Sequence, residues 1–152
     1  MKYSFLYKSM LMLLFVTIFA AFTPKGEEVL VNEVYDYTNL FRKSKGLGGL
    51  VLDEKLNVIA QQHSQNMADG KASFGHGGFN KRYKLANSLH PELGYFAENV
   101  AFGPTTGKDV VKRWENSEGH RNNMLGKFSH IGIGVAKSKD GTIYYTQIFC
   151  GE

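Results

Sequence analysis

The chain has 152 residues, of which 43 % are hydrophobic and 21 % are charged, and its formal net charge is +4. This length and composition indicate one folded globular domain and exclude an intrinsically disordered chain. Lys2 and Lys8 stand in the N-terminal segment, so taking their two charges from +4 leaves +2 after residue 22. The other basic residues form no stripe interleaved with aromatic residues, and we expect no nucleic-acid partner.

Residues 1–22 have the pattern of a signal peptide. Lys2 and Lys8 form a positive n-region, and Met10 to Phe22 is an uncharged run of 13 residues, which is short for a membrane span. We expect cleavage near residue 23 and a location that is secreted or extracytoplasmic, in the periplasm or cell envelope. An uncleaved membrane anchor is the alternative.

Helices are predicted in the first part of the chain that follows. Apolar residues recur at helical spacing from Leu30 to Phe41, which predicts a helix over about 28–45. Asp53 can cap a second helix over about 53–69, which Gly70 can end. His63 lies on the apolar face of this helix, where a buried structural histidine is expected. Residues 80–89 are predicted to form a short helix.

The middle of the chain carries the candidate functional residues on different elements. Glycines surround His76, which predicts a loop. Tyr95 to Phe102 alternate in the manner of a strand, and this strand carries Glu98. A further helix start at Ser117 leads to His120.

Capping chemistry predicts where the later helices begin. Thr106 and Asp109 form a capping box. Ser117 stands three residues before His120, but it lacks the Gly-x-Ser-x-Gly elbow of a serine hydrolase. We therefore expect its hydroxyl to cap the free amides of the helix.

The C-terminal segment is predicted to be a β-hairpin. Residues 131–135 alternate, Asp140-Gly141 is a turn signal, and Ile143 to Cys150 form the returning strand. Cys150 is the only cysteine, so no internal disulfide forms, and it is expected to be a small buried apolar residue. Helices come early and strands late, which predicts a single α+β layered domain over residues 28–152.

Two histidines and one glutamate are the candidate site. Imidazole and carboxylate groups can share a proton or hold a divalent cation, and zinc favours these ligands. His76, Glu98 and His120 could therefore form an open zinc site. Their spacing matches no helical two-histidine motif or Cys/His cluster, so polar hydrogen bonding between loops is the alternative.

Six fragments in order resemble a known family. They are His63-Ser64 with Met67, Phe74-Gly75-His76, Glu98-Asn99-Val100-Ala101, Trp114 to Leu125, Ile131 to Gly134, and Tyr145 to Phe149. Together they resemble the bacterial branch of the CAP (SCP) superfamily of cysteine-rich secretory proteins, antigen 5 and pathogenesis-related proteins. The resemblance covers about residues 30–150. It implies a three-layer α-β-α sandwich, with a mostly antiparallel sheet and a cleft that holds a divalent cation in some members.

The resemblance implies a cleft formed by His76, Glu98 and His120. Eukaryotic members have a histidine on the late strand where this chain has a tyrosine, and His120 is expected to replace it. The chain also has a serine where an acidic residue is expected, which leaves the fourth cleft position open. The expected supporting residues are Ser117, Glu115, Glu118, Asn99 and Tyr144.

Three functions fit these observations. We favour a non-enzymatic, exported binding module whose cleft holds a divalent cation or small ligand, because no nucleophile is recognisable. The second is a metal-dependent, peptidase-like hydrolase that uses Glu98 as general base. The third is a structural protein of the cell envelope or a lipid- or sterol-binding protein, a property that the resemblance implies. We expect a monomer whose partner is a small molecule, lipid or protein, and which meets the membrane only through an uncleaved N-terminal segment.

Overall fold

A computed structural model describes residues 25–151, which form five helices and four strands. The helices are α1 (Lys25–Ser44), α2 (Glu54–Ala68), α3 (Phe79–Leu89), α4 (Gly107–Glu115) and α5 (Glu118–Met124). The strands are β1 (Val51–Leu52), β2 (Tyr95–Phe102), β3 (His130–Lys137) and β4 (Ile143–Gly151). The predicted signal peptide lies outside the described residues. Within residues 25–151, no helix has both the length and the apolar character needed to cross a membrane.

The strands form one sheet in the order β1-β3-β4-β2. β4 is antiparallel to both of its neighbours, whereas β1 runs parallel to β3. The predicted hairpin of β3 and β4 is confirmed, and Gly141 in its turn has a φ of +90°, which favours glycine. β1 was not predicted, because a strand of two residues is too short to show an alternating pattern.

Helices cover both faces of the sheet. α1 and α4 pack on one face, where Ile131, Ile133 and Val135 of β3 join the core around Trp114. α2 and α3 pack on the other face, against Ile148 and the other inward residues of β4. The predicted three-layer α-β-α sandwich is therefore confirmed.

The predicted capping residues behave differently from one another. Asp53 accepts the Lys55 and Leu56 N–H groups at the start of α2, as predicted. Thr106 accepts the Asp109 N–H at 3.1 Å at the start of α4, also as predicted. The prediction for Ser117 was wrong, since its side chain makes no capping hydrogen bond. Its hydroxyl instead lies 2.8 Å from the Nδ1 atom of His120, one helical turn later.

Candidate functional site

His76 is held in place by contacts on both sides of its loop. The Nε2 atom of buried His63 lies 2.8 Å from the Gly75 carbonyl oxygen. The Arg82 guanidinium donates to the Gly77 carbonyl at 2.8 Å. The backbone on either side of His76 is thus tied to α2 and to α3. The prediction that His76 is on a loop and that His63 is structural is in accord with these contacts.

Glu98 and Arg82 form a two-pronged salt bridge beneath His76. The Nε and Nη2 atoms of Arg82 donate to the two carboxylate oxygens of Glu98 at 2.5 and 2.7 Å. The Glu98 side chain is fully buried, and the Arg82 side chain is 11 % exposed. A buried carboxylate is costly unless it is paired and hydrogen-bonded, so Arg82 stabilises an ionised glutamate at this position.

The same carboxylate orients His76. The His76 Nδ1 atom lies 2.9 Å from Oε1 of Glu98. An ionised carboxylate can only accept hydrogen bonds, so Nδ1 carries the proton and donates it. The other ring nitrogen, Nε2, has no hydrogen-bond partner in the described part of the chain, and the side chain is 49 % exposed. His76 therefore presents Nε2 to the outside.

His120 is anchored through the same ring position. Its Nδ1 atom lies 2.8 Å from the Ser117 hydroxyl, and Nε2 makes no hydrogen bond with any residue of 25–151. Burial lowers the pKa of His120 below the usual imidazole value, and the nearby charge of His76 lowers it further. His120 is thus predominantly neutral near pH 7, and it lies close enough to His76 for the two rings to interact electrostatically.

A buried chain of amide groups fixes α5 against the sheet. The Asn123 side chain donates to the Glu98 carbonyl at 3.1 Å and to the Asn99 side chain at 2.9 Å. Asn99 in turn donates to the His120 carbonyl and to the Gln147 side chain, both at 3.1 Å. Asn99, which was predicted as a supporting residue, links the backbone of His120 to the sheet.

The other predicted supporting residues lie outside this cluster. Glu115 pairs with Lys112 at 2.9 Å, and Glu118 is exposed at the start of α5. Tyr144 stacks on Phe102, with 5.9 Å between ring centres, and lines a separate surface concavity. Ser117 is thus the supporting residue whose side chain reaches His120, in the place where the family resemblance implies an acid.

The imidazole nitrogens of His76 and His120 would fit an open cation site, in which water or a bound molecule supplies the other ligands. They would not fit a closed site made of protein ligands alone. In the part of the chain that the structure describes, no group of three or more His, Cys, Asp or Glu side chains could hold a metal ion. The Nε2 atoms of His76 and His120 are the two candidate ligands that make no hydrogen bond within residues 25–151, and Glu98 contacts the ring of His76 from the opposite side. A carboxylate behind a histidine is a common arrangement in zinc sites, where it orients the ring. A zinc ion held here would take its other ligands from water or from a bound molecule.

Arg82 was missed by sequence reasoning, although a signal for it was present. Glu98 was predicted on a strand with apolar neighbours, and a buried carboxylate needs a cationic partner. The preceding helix offers Lys81, Arg82 and Lys84, and among these only the planar arginine fork matches both carboxylate oxygens. Which of these three residues faces Glu98 depends on how α3 packs on the sheet, and the local sequence does not give that packing.

Comparison with known proteins identifies one protein family. The model of the cysteine-rich secretory protein family, CAP, matches residues 35–149. The uncharacterized protein YkwD of Bacillus subtilis (strain 168) is 37 % identical over 132 residues, which are 85 % of this chain and 50 % of YkwD. This chain therefore spans about half the length of that relative.

Two solved structures share the fold. An extracellular protein with an SCP domain from Bacillus anthracis str. Ames has a TM-score of 0.70 and 29 % identity, covering 83 % of this chain and 41 % of that one. A cysteine-rich secretory protein from Staphylococcus aureus subsp. aureus Mu50 has a TM-score of 0.69 and 24 % identity, covering 86 % of this chain and 40 % of that one. The second likeness shows the fold alone.

Proposed function

Because this chain belongs to the cysteine-rich secretory protein (CAP) family, we propose that it is a non-enzymatic binding module. Its ligand lies between His76 and His120, whose rings are close enough to interact electrostatically, and the first ligand to test is a divalent cation, zinc above all. His76 and His120 bind this ion through Nε2. The protein acts outside the cytoplasm.

One observation carries the proposal. Each imidazole is held through Nδ1, His76 by Glu98 and His120 by Ser117, so that Nε2 is the ring nitrogen left for a ligand. A neutral imidazole with its Nδ1 proton donated to a neighbour has the Nε2 lone pair that a metal requires. The lowered pKa of His120 supports the proposal, because a neutral ring at pH 7 does not have to lose a proton to bind.

The geometry supports binding over hydrolysis. A general base needs a free carboxylate oxygen within hydrogen-bond reach of the water that it activates. Both oxygens of Glu98 already accept from Arg82, and one accepts from His76 as well. Glu98 thus acts as the group that orients His76, and it has little capacity left for proton transfer.

Export is proposed from the N-terminal sequence and from the relatives. Lys2, Lys8 and the uncharged run that follows have the pattern of a signal peptide. The solved structure from Bacillus anthracis is described as an extracellular protein, and the one from Staphylococcus aureus as a secretory protein. An outer surface protein of Borrelia burgdorferi also shares the fold, with a TM-score of 0.66 and 20 % identity.

The experiment is a calorimetric zinc titration of metal-free protein at pH 7. We expect the wild type to bind one equivalent, and His76→Ala and His120→Ala to lose measurable binding. His130→Ala is the matched control, because His130 stacks on His90 beside Asp53 and Glu92, the other place where histidines and carboxylates gather. Its affinity should equal that of the wild type.

Two results would contradict the proposal. The first is a wild type that binds no zinc, cobalt or manganese above a folded reference protein without exposed histidines. The second is zinc binding that His130→Ala abolishes and His120→Ala leaves intact, since this would place the ion at the other cluster.

A further inference from the structure

We infer that helix α1 positions His120 for the cation that the proposed function places between the two imidazoles. Arg42 does this from the C-terminal end of α5, and Thr38 does it through a buried chain of amide groups. Neither residue is one of the proposed ligands, so both are positioning residues. The inference rests on the proposed function for the cation and on the contacts of α1 for the rest.

Helix α5 is too short to hold its own position. It has seven residues, and isolated helices of this length are unstable in water. The side chain of Ser117 makes no capping hydrogen bond at its start. The orientation of α5, and with it the direction of the His120 side chain, therefore depends on contacts with the rest of the molecule.

Arg42 supplies such a contact at the end of α5. Its Nη1 atom donates to the Met124 carbonyl at 2.8 Å and to the Gly126 carbonyl at 3.0 Å. Its Nε atom donates to the Gly48 carbonyl at 2.8 Å. Met124 is the last residue of α5, and the last carbonyls of a helix have no partner within the helix. One guanidinium thus ties together α1, the loop that follows it and α5.

The cost of burying Arg42 indicates that this geometry matters. The residue is 4 % exposed, and within residues 25–151 no carboxylate forms a salt bridge with it. Burying a cation without a counter-ion costs free energy that an apolar side chain in the same place would not cost. Arginine differs from lysine in its planar fork, whose five N–H donors have fixed directions and can reach the carbonyls of separate segments at once.

Thr38 holds the same short helix at His120. It is fully buried and lies on the same face of α1 as Arg42, one helical turn earlier. Its hydroxyl oxygen accepts a hydrogen bond from the Gln147 side-chain amide at 2.8 Å. The Gln147 side-chain oxygen accepts from Asn99, whose amide nitrogen also donates to the His120 carbonyl at 3.1 Å. Three hydrogen bonds therefore lead from α1, through β4 and β2, to the backbone of His120.

Two tied carbonyls, one helical turn apart, fix the orientation of α5. The carbonyl of His120 is tied through the sheet, and the carbonyl of Met124 is tied by Arg42. The tilt and rotation of α5 are then set, and so is the direction in which the His120 ring leaves the backbone. The loop of His76 is tied to α2 and α3 instead. Changes in α1 should therefore act on the His120 side of the site.

The first measurement is a calorimetric zinc titration of variants that keep both proposed ligands. Arg42→Lys keeps the charge but loses the fork, and it should bind zinc about tenfold more weakly, as is usual when a residue behind a metal ligand is changed. Thr38→Val removes the hydroxyl at nearly constant volume. It should weaken binding about threefold, the effect of losing one neutral hydrogen bond.

The second measurement follows the His120 ring itself, by NMR of metal-free protein. The centres of the His120 and Trp114 rings lie 6.5 Å apart, and Trp114 is the only tryptophan in the chain. The nuclear Overhauser contact between the two rings should be present in the wild type. It should be weaker in Arg42→Lys and in Thr38→Val, because α5 no longer keeps its orientation.

Leu93→Ala is the control for a general loss of stability. Leu93 is buried in the cluster between α2 and α3, on the other face of the sheet, so this variant leaves a destabilising cavity away from α5. Its zinc affinity and its ring contact should equal those of the wild type. A merely structural role of Arg42 predicts instead that Leu93→Ala weakens both to the same degree as Arg42→Lys.

Wild-type zinc affinity or an unchanged ring contact in Arg42→Lys would overturn the inference, and so would an equal loss in Leu93→Ala. If Arg42→Lys does not fold, Thr38→Val decides by the same two measurements. Zinc binding that is equal in the wild type and in every variant would leave the proposed cation site intact and remove the inference. If the wild type binds no zinc, the cation site is wrong, and the ring contact alone decides whether α1 positions His120.

Discussion

Arg82 and Glu98 form a buried pair whose members depend on one another. Glu98 is fully buried, and the Arg82 guanidinium reaches it with two hydrogen bonds and the Gly77 carbonyl with a third. The pair connects α3, β2 and the loop that carries His76. Removing one member of such a pair leaves an uncompensated charge in a region that water does not reach.

Arg82→Ala should therefore lower the free energy of unfolding at pH 7 by about 3 kcal/mol. Urea denaturation followed by circular dichroism measures this change. Lys84→Ala, an exposed position on the same helix, is the control and should change stability by less than about 0.5 kcal/mol.

The double variant Arg82→Ala with Glu98→Gln tests the physical reason. Because it removes the buried charge along with its partner, it should be more stable than Arg82→Ala alone. If the double variant is the less stable of the two, uncompensated charge is not the cause.

The pKa of His120 depends on its surroundings, which include His76. Burial is the main cause that lowers this pKa, and the charge of His76 is the second. His76→Ala should raise the pKa of His120 toward about 6.5, because it removes the charge that His76 adds when it is protonated and opens the site to water. NMR titration of the imidazole Cε1 proton gives the value. An unchanged or lower pKa in the variant would show that the two rings do not interact.

The lowered pKa values of His63 and His120 also set the direction of a stability change with pH. Both are lowered chiefly by burial, so below about pH 6.5 the unfolded chain binds more protons than the folded one. Their contribution to stability is complete above that pH and is lost as the pH falls through the folded values. His120→Gln should make this fall smaller in denaturation curves between pH 7 and pH 5.

At the scale of elements, α2 and β3 approach so closely that glycine is required on the strand. A Cβ added at Gly132 would lie 2.3 Å from the Leu56 backbone, and one at Gly134 would lie 2.2 Å from the Ala60 backbone. On the opposite face of β3, Ile131, Ile133 and Val135 fill the core against α1 and α4. The Ile-Gly-Ile-Gly sequence therefore specifies a strand with large apolar side chains on one face and no side chains on the other.

Gly134→Ala should destabilise the protein by about 3 kcal/mol, because backbone atoms cannot yield as the end of a flexible side chain can. Thermal or urea unfolding measures this. Gly48→Ala is the matched control, since a Cβ there meets no atom within 4 Å, and it should change stability by about 0.5 kcal/mol or less. Equal stability of the two variants would contradict the close approach of α2 to β3.

Over the whole molecule, one free thiol can serve as a reporter of folding. Cys150 is 2 % exposed near the end of β4, and burial raises its pKa to about 12. The predicted role as a small buried apolar residue is confirmed. A thiol reagent attacks the thiolate, so Cys150 should be inert to Ellman's reagent in native protein at pH 8 and should react completely in concentrated urea.

Val58→Cys supplies the internal comparison, because Val58 is 70 % exposed on α2. This variant should release one equivalent of product at once in native buffer, and the second only on unfolding. Rapid labelling of both thiols in native protein would contradict the burial of β4.

The sequence by itself determined most of the elements and the α+β class. Periodicity located α1 to α3, β2 and the hairpin, and capping residues such as Asp53 and Thr106 marked helix starts within a few residues, because these signals act over one or two helical turns. Only the tertiary structure decided which side chains contact one another around His76 and His120. The salt bridge of Arg82 with Glu98 and the contacts of Asn123 and Asn99 that hold α5 depend on how α3 and α5 pack on the sheet. Packing joins residues far apart in the chain, and the local pattern that predicted the elements carries no information on those distances.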